Sequence, residues 1–270
     1  RCLRSIQAQD LREIEVIVSD NASTDGSAEL CERFAASDPR IIVHRQPANI
    51  GAAANFNFVR HRARAESFLW IGCDDYYESP RLLSALYARS ARGAAMVFPE
   101  TRLLDTMSGA PVMRTKTETY GRLRAARTPF ELARALATSD MFSPAVYGMY
   151  NLRVLRERGV DLAGDQGLRC FNDGIMLHSV LATGLCEFEG DVVFVYTLRK
   201  GSERSAQRAP LLLEDFWRYC AQIPGIYARS VFSQREQLSL LGELLPSQAK
   251  YAAILAGSVV KQRLRAALRA

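Results

Sequence analysis

The sequence predicts an α/β protein with a doubly wound, mostly parallel sheet and a helical C-terminal extension. Strand-like and helix-like segments alternate over the first 100 residues, which is the pattern of βαβ units. The strand-like segments are short and apolar throughout, as are parallel strands buried on both faces. From about Ala209 the apolar residues keep helical spacing to the end of the chain.

The first half of the chain contains four predicted strands. Strands are expected at residues 13–19, 41–44, 67–71 and 94–99, and helices at 27–37, at about 49–64 and from 80 onward. The first strand is rich in β-branched residues. The first of these helices places Leu30 and Phe34 on one face, and Ser79-Pro80 supplies the cap and first position of the third.

Residues 101–205 are less regular. A hairpin around Ser108-Gly109 is expected, with arms at 101–105 and 111–116. The other predicted elements are a helix at 129–137, a strand-like run at 145–150, a helix at 172–183 and a strand at 192–198.

Composition narrows the class of protein. The chain has 270 residues and is 48% hydrophobic, which is enough for a sizeable core. Its net charge of +6 suits diphosphate ligands, anionic lipid or nucleic acid alike. The six cysteines form no CxxC pair and do not have the spacing of zinc ligands. No stretch reaches the ~20 apolar residues of a membrane span. No signal peptide is visible. We therefore expect reduced thiols in a cytoplasmic protein.

Two adjacent carboxylates, Asp74 and Asp75, follow a predicted buried strand. Two hard oxygen ligands at a strand end suit Mg²⁺ or Mn²⁺, which takes one or two carboxylates together with substrate phosphates. Alternatively, the pair is a solvated turn that caps the next helix. The sequence alone leaves both interpretations open.

Two further loops follow predicted strands. Asp20 and Asn21 begin DNASTDGS, which either caps the next helix or lets Asp20 accept a hydrogen bond from a base or ribose. Asn49 and Gly51 precede a helix whose N-terminus can hold an anion. Ligands of doubly wound sheets bind beyond the carboxyl ends of the strands, so the loops at Asp20 and Asp74 are expected to converge.

Two charged residues lie later in the chain. Asp173 is at the start of a predicted helix, where it either interacts with the helix dipole or acts as a general base. Arg199 follows the last predicted strand and is either a surface residue or a clamp on phosphate. The chain contains no GxSxG, Walker or GxGxxG pattern, which argues against serine hydrolases, P-loop ATPases and dinucleotide-binding dehydrogenases.

Taken together, the order of the motifs resembles the family 2 glycosyltransferases with the GT-A fold. The stretches are RCLRSIQAQ, EVIVSDNASTDGSAEL, NIGAAANFN and FLWIGCDDYYESP, and weaker likeness continues through FNDGIMLHSVLATG and VYTLRKGSERS to about residue 205. The sequence is similar to a bacterial subgroup in which Trp-x-x-x-Asp-Asp replaces the usual Asp-x-Asp-Asp.

The resemblance implies roles for these residues. Asp20 contacts the nucleobase, Asp74 and Asp75 bind ribose, metal and diphosphate, and Asp173 is the base. Between the adjacent pair, Asp75 is favoured as the metal ligand and Asp74 for orienting the donor. The implied organisation is a nucleotide-sugar-binding half at 1–105, an acceptor-binding half at 106–205 and a helical extension at 206–270.

The sequence departs from the family pattern in several places. Gly72 replaces the first Asp of the pattern, which removes a ribose contact and weakens metal binding. Phe56 lies near the usual place of a phosphate-binding Arg, and Arg199 replaces a His. The family's first strand would precede Arg1, so we expect a segment upstream of this sequence.

The predicted function is inverting transfer of a sugar from a nucleotide-diphosphate sugar to a saccharide or lipid-linked acceptor, in polysaccharide or glycolipid synthesis. The alternative is a non-catalytic protein that binds nucleotide sugars or a partner through a degenerate site. Nucleic acid is not an expected partner, because the basic tail at 261–270 lacks aromatic residues. That tail is expected to form a helix that rests on the protein or on the anionic inner face of the membrane.

Overall fold

The protein folds into two sheets surrounded by helices, as seen in a computed structural model that describes residues 1–107, 110–162, 168, 171–199 and 209–267. The strands are β1 (Val16–Asp20), β2 (Ile41–Arg45), β3 (Ser67–Phe68), β4 (Tyr76–Tyr77), β5 (Met96–Asp105), β6 (Val112–Arg114), β7 (Met149–Asn151) and β8 (Cys186–Leu198). The helices are α1 (Cys2–Gln7), α2 (Ser27–Ser37), α3 (Ala52–Arg62), α4 (Leu82–Ser90), α5 (Thr117–Ala125), α6 (Pro129–Ala137), α7 (Leu152–Glu157), α8 (Asn172–Leu181), α9 (Ala209–Ala228) and α10 (Gln234–Ala267), and a 3₁₀-helix spans Ser143–Tyr147.

The strand directions are more mixed than the sequence pattern predicts. β1 and β2 form a separate parallel pair, and the central sheet has the order β3-β7-β5-β8-β4, with β6 paired to the end of β5. Within the described residues of the central sheet, β5 and β8 are parallel and the other pairs are antiparallel. Burial on both faces makes a strand apolar whatever its direction, so the apolar pattern does not report direction.

Most predicted elements are present, and two differ. The strand predicted at 67–71 forms sheet pairing only over Ser67–Phe68. The strand-like segment predicted at 145–150 is divided between the 3₁₀-helix and β7. The predicted hairpin is confirmed by the antiparallel pairing of β5 with β6, although its tip, Ser108-Gly109, lies outside the described residues.

The core lies on both faces of the central sheet, with β5 at its centre. Met96 and Phe98 contribute to one apolar cluster, together with side chains of α6 and α8, whereas Val97 contributes to the other with Leu83 and Leu86 of α4. Alternate residues of a strand point to opposite faces, so β5 supplies both clusters. The predicted α/β class with a central sheet is thereby confirmed.

The C-terminal helices pack on α8, and the predicted helical C-terminal region is confirmed. His178 of α8 is fully buried, with Nδ1 2.8 Å from the Tyr227 hydroxyl and Nε2 2.9 Å from the Tyr219 hydroxyl, both on α9. A side chain at Gly174 would place its Cβ 2.8 Å from the Tyr219 ring. Glycine at this position therefore lets α9 approach α8 closely.

α10 extends into the basic segment of the tail. The helix reaches Ala267, but the side chains beyond Gly257 lie outside the described residues, so the predicted contact of the tail with protein or membrane stays a prediction. Within the described ranges, no helix combines the length and the apolar character needed to cross a membrane.

Acid should destabilise the protein partly through His178. Burial lowers the pKa of His178 to about 3, while an unfolded histidine titrates near 6.5. As the pH falls from 6.5 toward 3, only the unfolded state takes up this proton, and stability falls by up to about 1.4 kcal/mol per pH unit. Denaturant unfolding of His178→Gln between pH 4 and 8 should show a flatter loss of stability on acidification. The exposed His61→Gln variant should keep the wild-type slope, and an unchanged slope in His178→Gln would contradict the assignment.

Candidate functional site

The loops after β1 and β2 are joined by asparagine side chains. Asn21 Oδ1 accepts the N–H of Ile50 at 2.9 Å, and Asn21 Nδ2 donates to Asn49 Oδ1 at 3.0 Å. Asn49 Oδ1 also accepts the N–H of Gly51 at 2.9 Å. Gly51 has a φ of +81° and open space around it, immediately before α3. The structure thus brings Asn21, Asn49 and Gly51 together at one edge of the small sheet.

Asp20 ends β1 and is buried. Its Oδ2 accepts the N–H of Ser23 at 3.0 Å, so the turn-forming interaction foreseen for this loop is present. The Cys31 thiol of α2 lies near Asp20, because burial raises the pKa of this thiol and the negative charge of Asp20 adds to the rise.

The Asp74-Asp75 loop is attached to β8 by two hydrogen bonds. The N–H of Thr197 donates to Asp75 Oδ1 at 2.8 Å, and the hydroxyl of Thr197 donates to the carbonyl oxygen of Asp74 at 2.7 Å. Residues 69–75 belong to no strand, so these bonds, together with the pairing of β4 with β8 after Asp75, set the position of the Asp pair against the central sheet. Thr197 gives no signal in the sequence, where it is one residue of an apolar strand.

Asp75 is held inside the protein. It is only 1% exposed, and its Oδ2 has no hydrogen-bond partner among the described residues. Burial raises the pKa of Asp75 to about 7; the N–H of Thr197 opposes this rise and the charge of Asp74 adds to it. The sequence favours Asp75 as the principal metal ligand, but the structure argues against that choice because this carboxyl is shielded from solvent.

Asp74 is the accessible member of the pair. It lines a cavity of about 260 Å³, together with Met107, Tyr147, Tyr196, Thr197, Leu198 and Arg199. Arg199 Nε lies 2.8 Å from Asp74 Oδ2 in an ion pair, with the Asp74 and Arg199 side chains 27% and 58% exposed. Such an exposed ion pair contributes less than about 1 kcal/mol, so Arg199 can leave Asp74 at small cost.

The free oxygens of the two carboxylates point to the same place. A Cβ at Gly72 would lie 2.7 Å from Asp75 Oδ2 and 3.0 Å from Asp74 Oδ1. The space left by the missing side chain is thus bordered by two carboxylate oxygens, one of them without a partner among the described residues. Hard oxygen donors of this kind fit Mg²⁺ or Mn²⁺ with phosphates completing the coordination. No group of three or more His, Cys, Asp and Glu side chains forms a metal site in the described part of the chain.

Asp173 lies in the first turn of α8, as the sequence predicts. Its Oδ2 accepts a hydrogen bond from the hydroxyl of Ser143 at 2.9 Å. Tyr147, at the other end of the same 3₁₀-helix, lines the cavity of Asp74. Burial raises the pKa of Tyr147 above its usual range, and the charges of Asp75, Asp74 and Asp173 contribute to the rise.

These contacts bring most of the sequence-predicted residues into one region. Asp74 and Arg199 line the same cavity as Tyr147, and the charges of Asp74, Asp75 and Asp173 act on the Tyr147 hydroxyl. Asp20 lies at the end of β1, beside the asparagine-linked loops. Sequence reasoning missed the side chains that hold the site together, namely Ser143, Tyr147 and Thr197. Each is a single residue in an apolar or irregular stretch, and only its spatial neighbours reveal it.

Known proteins are similar to this chain in sequence and in fold. Residues 1–159 match the glycosyl transferase family 2. The chain is 25% identical over 207 residues to the succinoglycan biosynthesis protein ExoO of Rhizobium meliloti, and the alignment covers 75% of this chain and 57% of ExoO. It is 33% identical over 86 residues to the glycosyltransferase GlyG of Streptococcus pneumoniae serotype 4, over 32% of this chain and 28% of GlyG. The chain thus spans less than two thirds of the length of these relatives.

Solved structures show the same architecture. S. aureus TarS 1-349 in complex with UDP-GlcNAc superposes with a TM-score of 0.68 at 18% identity, over 90% of this chain and 66% of TarS 1-349. The mannosyltransferase PcManGT from Pyrobaculum calidifontis, in complex with GDP-Man and Mn²⁺, superposes with a TM-score of 0.54 at 15% identity, over 96% and 81% of the two chains. This likeness concerns the fold, and it confirms the GT-A fold expected from the sequence.

Gly72 should tolerate no side chain. We expect Gly72→Ala to lower the free energy of unfolding by about 1–3 kcal/mol, because the added methyl group would force the Asp75 carboxyl from its place. Gly121→Ala on α5 is the matched control, since a Cβ there meets no atom within 4 Å, and it should be neutral or slightly stabilising. Equal unfolding midpoints for the two variants in urea would contradict the close packing at Gly72.

Proposed function

Because the chain belongs to glycosyl transferase family 2, we propose that it transfers a sugar from a nucleoside diphosphate sugar to a hydroxyl group of a saccharide or lipid-linked acceptor. The observation that carries this proposal is the cavity lined by Asp74, Tyr147 and the cation Arg199, with the carboxylate of Asp173 close enough to act on the Tyr147 hydroxyl. Succinoglycan biosynthesis by ExoO supports a role in cell-surface polysaccharide or glycolipid synthesis.

The donor is assigned to the first half of the chain, residues 1–105. Asp20 is proposed to accept a hydrogen bond from the base or ribose, at the buried end of β1. The asparagine-linked loops at Asn21, Asn49 and Gly51 border the same edge, and α3 starts there with its backbone N–H groups unpaired by the helix. The N-terminus of a helix attracts phosphate, so this edge is proposed to bind the base and ribose together with the phosphate next to the ribose.

A divalent ion fits the oxygens around Gly72. Asp74 would be the main protein ligand because it lines the cavity, and Asp75 Oδ2 would be the second because it lies beside Gly72 together with Asp74 Oδ1. When bound, Mg²⁺ or Mn²⁺ supplies Lewis-acid stabilisation of the leaving diphosphate. PcManGT, with the same fold, was crystallised with GDP-Man and Mn²⁺.

Arg199 is proposed to bind the diphosphate directly. Its guanidinium now contacts Asp74 but is largely exposed, and phosphate oxygens offer it charge-assisted bonds that are stronger than those of an exposed ion pair. Donor binding would therefore exchange Asp74 for phosphate as the partner of Arg199. This exchange would free Asp74 Oδ2 at the time when the donor arrives.

Asp173 is proposed to act as the general base. Its carboxylate would take the proton of the acceptor hydroxyl while the acceptor oxygen bonds to the anomeric carbon. The bond from the anomeric carbon to the phosphate oxygen breaks at the same time, and its electron pair leaves with the diphosphate. Attack from the side opposite the leaving group inverts the anomeric configuration. Ser143 would keep one carboxylate oxygen of Asp173 occupied, leaving the other for the acceptor.

The later parts of the chain are assigned by the same reasoning. Residues 106–205 contain Ser143, Tyr147 and Asp173 and are the proposed acceptor-binding half. Residues 206–270 are the proposed helical extension, which includes α9 with the two tyrosines that contact His178 of α8. The alternative, a non-catalytic nucleotide-sugar-binding protein, is favoured only by Gly72, which stands where the family pattern has an Asp.

Binding of a nucleoside diphosphate should depend on Asp74 and on a divalent ion. We expect at least one of UDP, GDP and dTDP to bind the wild-type chain about tenfold or more tightly with Mn²⁺ than with EDTA, because the ion joins Asp74 to the phosphates. Asp74→Asn should lose this difference, whereas Asp191→Asn, at an exposed position, should keep it. Isothermal titration calorimetry measures both. If none of the three nucleotides binds under either condition, the proposed function is contradicted.

Turnover should depend on Asp173. We expect Asp173→Asn to lower kcat by roughly 10²–10⁴-fold with little change in nucleotide affinity, since general-base assistance is lost and the donor contacts remain. Mass spectrometry of a panel of nucleotide sugars, which detects slow donor hydrolysis without a known acceptor, identifies the donor and measures the rate. A near-normal rate in Asp173→Asn would remove this residue from the reaction. Nucleotide-sugar binding by the wild-type chain with no turnover of any donor would favour the non-catalytic alternative.

A further inference from the structure

The 3₁₀-helix Ser143–Tyr147 connects the two ends of the proposed reaction centre. At its start, the hydroxyl of Ser143 donates to Asp173 Oδ2 at 2.9 Å. At its end, Tyr147 lines the cavity with Asp74 and Arg199. A 3₁₀-helix rises about 2.0 Å per residue, so these two residues are roughly 8 Å apart along the axis. The proposed base is thus held at one end of this 3₁₀-helix, and the proposed diphosphate cavity lies at the other end.

The ring of Tyr147 is held firmly. It packs against Phe194 and Tyr196 of β8, with ring centroids 5.2 and 5.8 Å away. The next residue, Gly148, lies so close to β5 that a Cβ there would be 2.9 Å from the carbonyl oxygen of Val97. The segment therefore has little room to shift, and the hydroxyl of Tyr147 keeps one position at the cavity.

The hydroxyl of Tyr147 has no hydrogen-bond partner among the described residues. Three buried tyrosines elsewhere are bonded: Tyr120 to the backbone of Thr101, Tyr150 to the carbonyl oxygen of Val146, and Tyr227 to His178. Tyr147 is half-buried and lines the cavity, so its hydroxyl is open to a molecule bound there. Such a group at the wall of a cavity is well placed to bond a ligand.

The hydroxyl of Tyr147 is a donor at neutral pH. Burial raises its pKa, and the nearby carboxylates of Asp75, Asp74 and Asp173 oppose its ionisation further. The neutral phenol can therefore offer its proton to a ligand oxygen, and it cannot serve as a base. Sugar hydroxyl and ring oxygens accept such bonds.

We propose that Tyr147 binds the transferred sugar, with its hydroxyl donating a hydrogen bond to an oxygen of the hexose unit of the nucleoside diphosphate sugar. This inference rests on the proposed function, since the sugar must lie between the diphosphate at Asp74 and the acceptor at Asp173. Tyr147 then contributes to the choice of sugar, while the nucleoside end of the donor is bound elsewhere.

Tyr147→Phe in the full chain tests this assignment, because it removes the hydroxyl and keeps the ring. We expect the affinity for the free nucleoside diphosphate with Mn²⁺ to stay within twofold of wild type. The affinity for the matching nucleotide sugar should fall about tenfold, as for the loss of one well-placed hydrogen bond, and kcat/KM for its hydrolysis should fall by at least as much. Tyr120→Phe, which loses a buried hydroxyl far from the cavity, should change neither affinity.

Deoxy analogues of the nucleotide sugar give a second, independent measurement. The analogue that lacks the contacted oxygen should bind the wild type about tenfold more weakly than the parent sugar, yet bind Tyr147→Phe as well as the parent does. Equal losses for nucleotide and nucleotide sugar in Tyr147→Phe, or no loss for either, would overturn the assignment to the sugar while the proposed function stands. If the wild-type chain binds no nucleotide and hydrolyses no donor, the proposed function fails, and this inference fails with it.

Discussion

The hydrogen bonds from Thr197 to the Asp74-Asp75 loop are the interactions on which the rest of the site depends. The loop belongs to no strand, and β3 before it is two residues long. The N–H and the hydroxyl of Thr197 anchor the loop to β8, a long strand in the middle of the sheet. Because Arg199 follows Thr197 by two residues, directly after the end of β8, the same anchorage places a cation beside Asp74. The pairing of β4 with β8, which begins directly after Asp75, fixes the other end of the loop.

The two adjacent carboxylates differ in burial and therefore in their contacts. Asp75 is shielded, accepts the Thr197 N–H and has a raised pKa, whereas Asp74 faces the cavity and pairs with Arg199. Gly72 makes this arrangement possible, since any side chain there would collide with both carboxylates. The departure from the family pattern at Gly72 is thus part of how this chain packs its Asp pair.

The helical C-terminal region takes part in positioning Asp173. α8 carries Asp173 at its start and the buried His178 further on, and His178 is enclosed by two tyrosines of α9. The family match ends at residue 159, so the support of the proposed base comes from a part of the chain beyond that match. A small residue, Gly174, lets the two helices meet, and removing α9 would leave His178 without its partners.

The sequence by itself determined the local elements and the identity of most charged site residues. Helix caps, the hairpin and the apolar strands depend on neighbours within a few residues, and Asp20, Asp74 and Asp173 stand out because each follows a strand or begins a helix. Only the tertiary structure decided the strand directions, which carboxylate faces the cavity, and the presence of Tyr147 and Ser143 there. These depend on partners far apart in the chain, such as Asp75 and Thr197, which are 122 residues apart. A pattern read along the sequence does not contain such contacts, because they form only when the sheet is assembled.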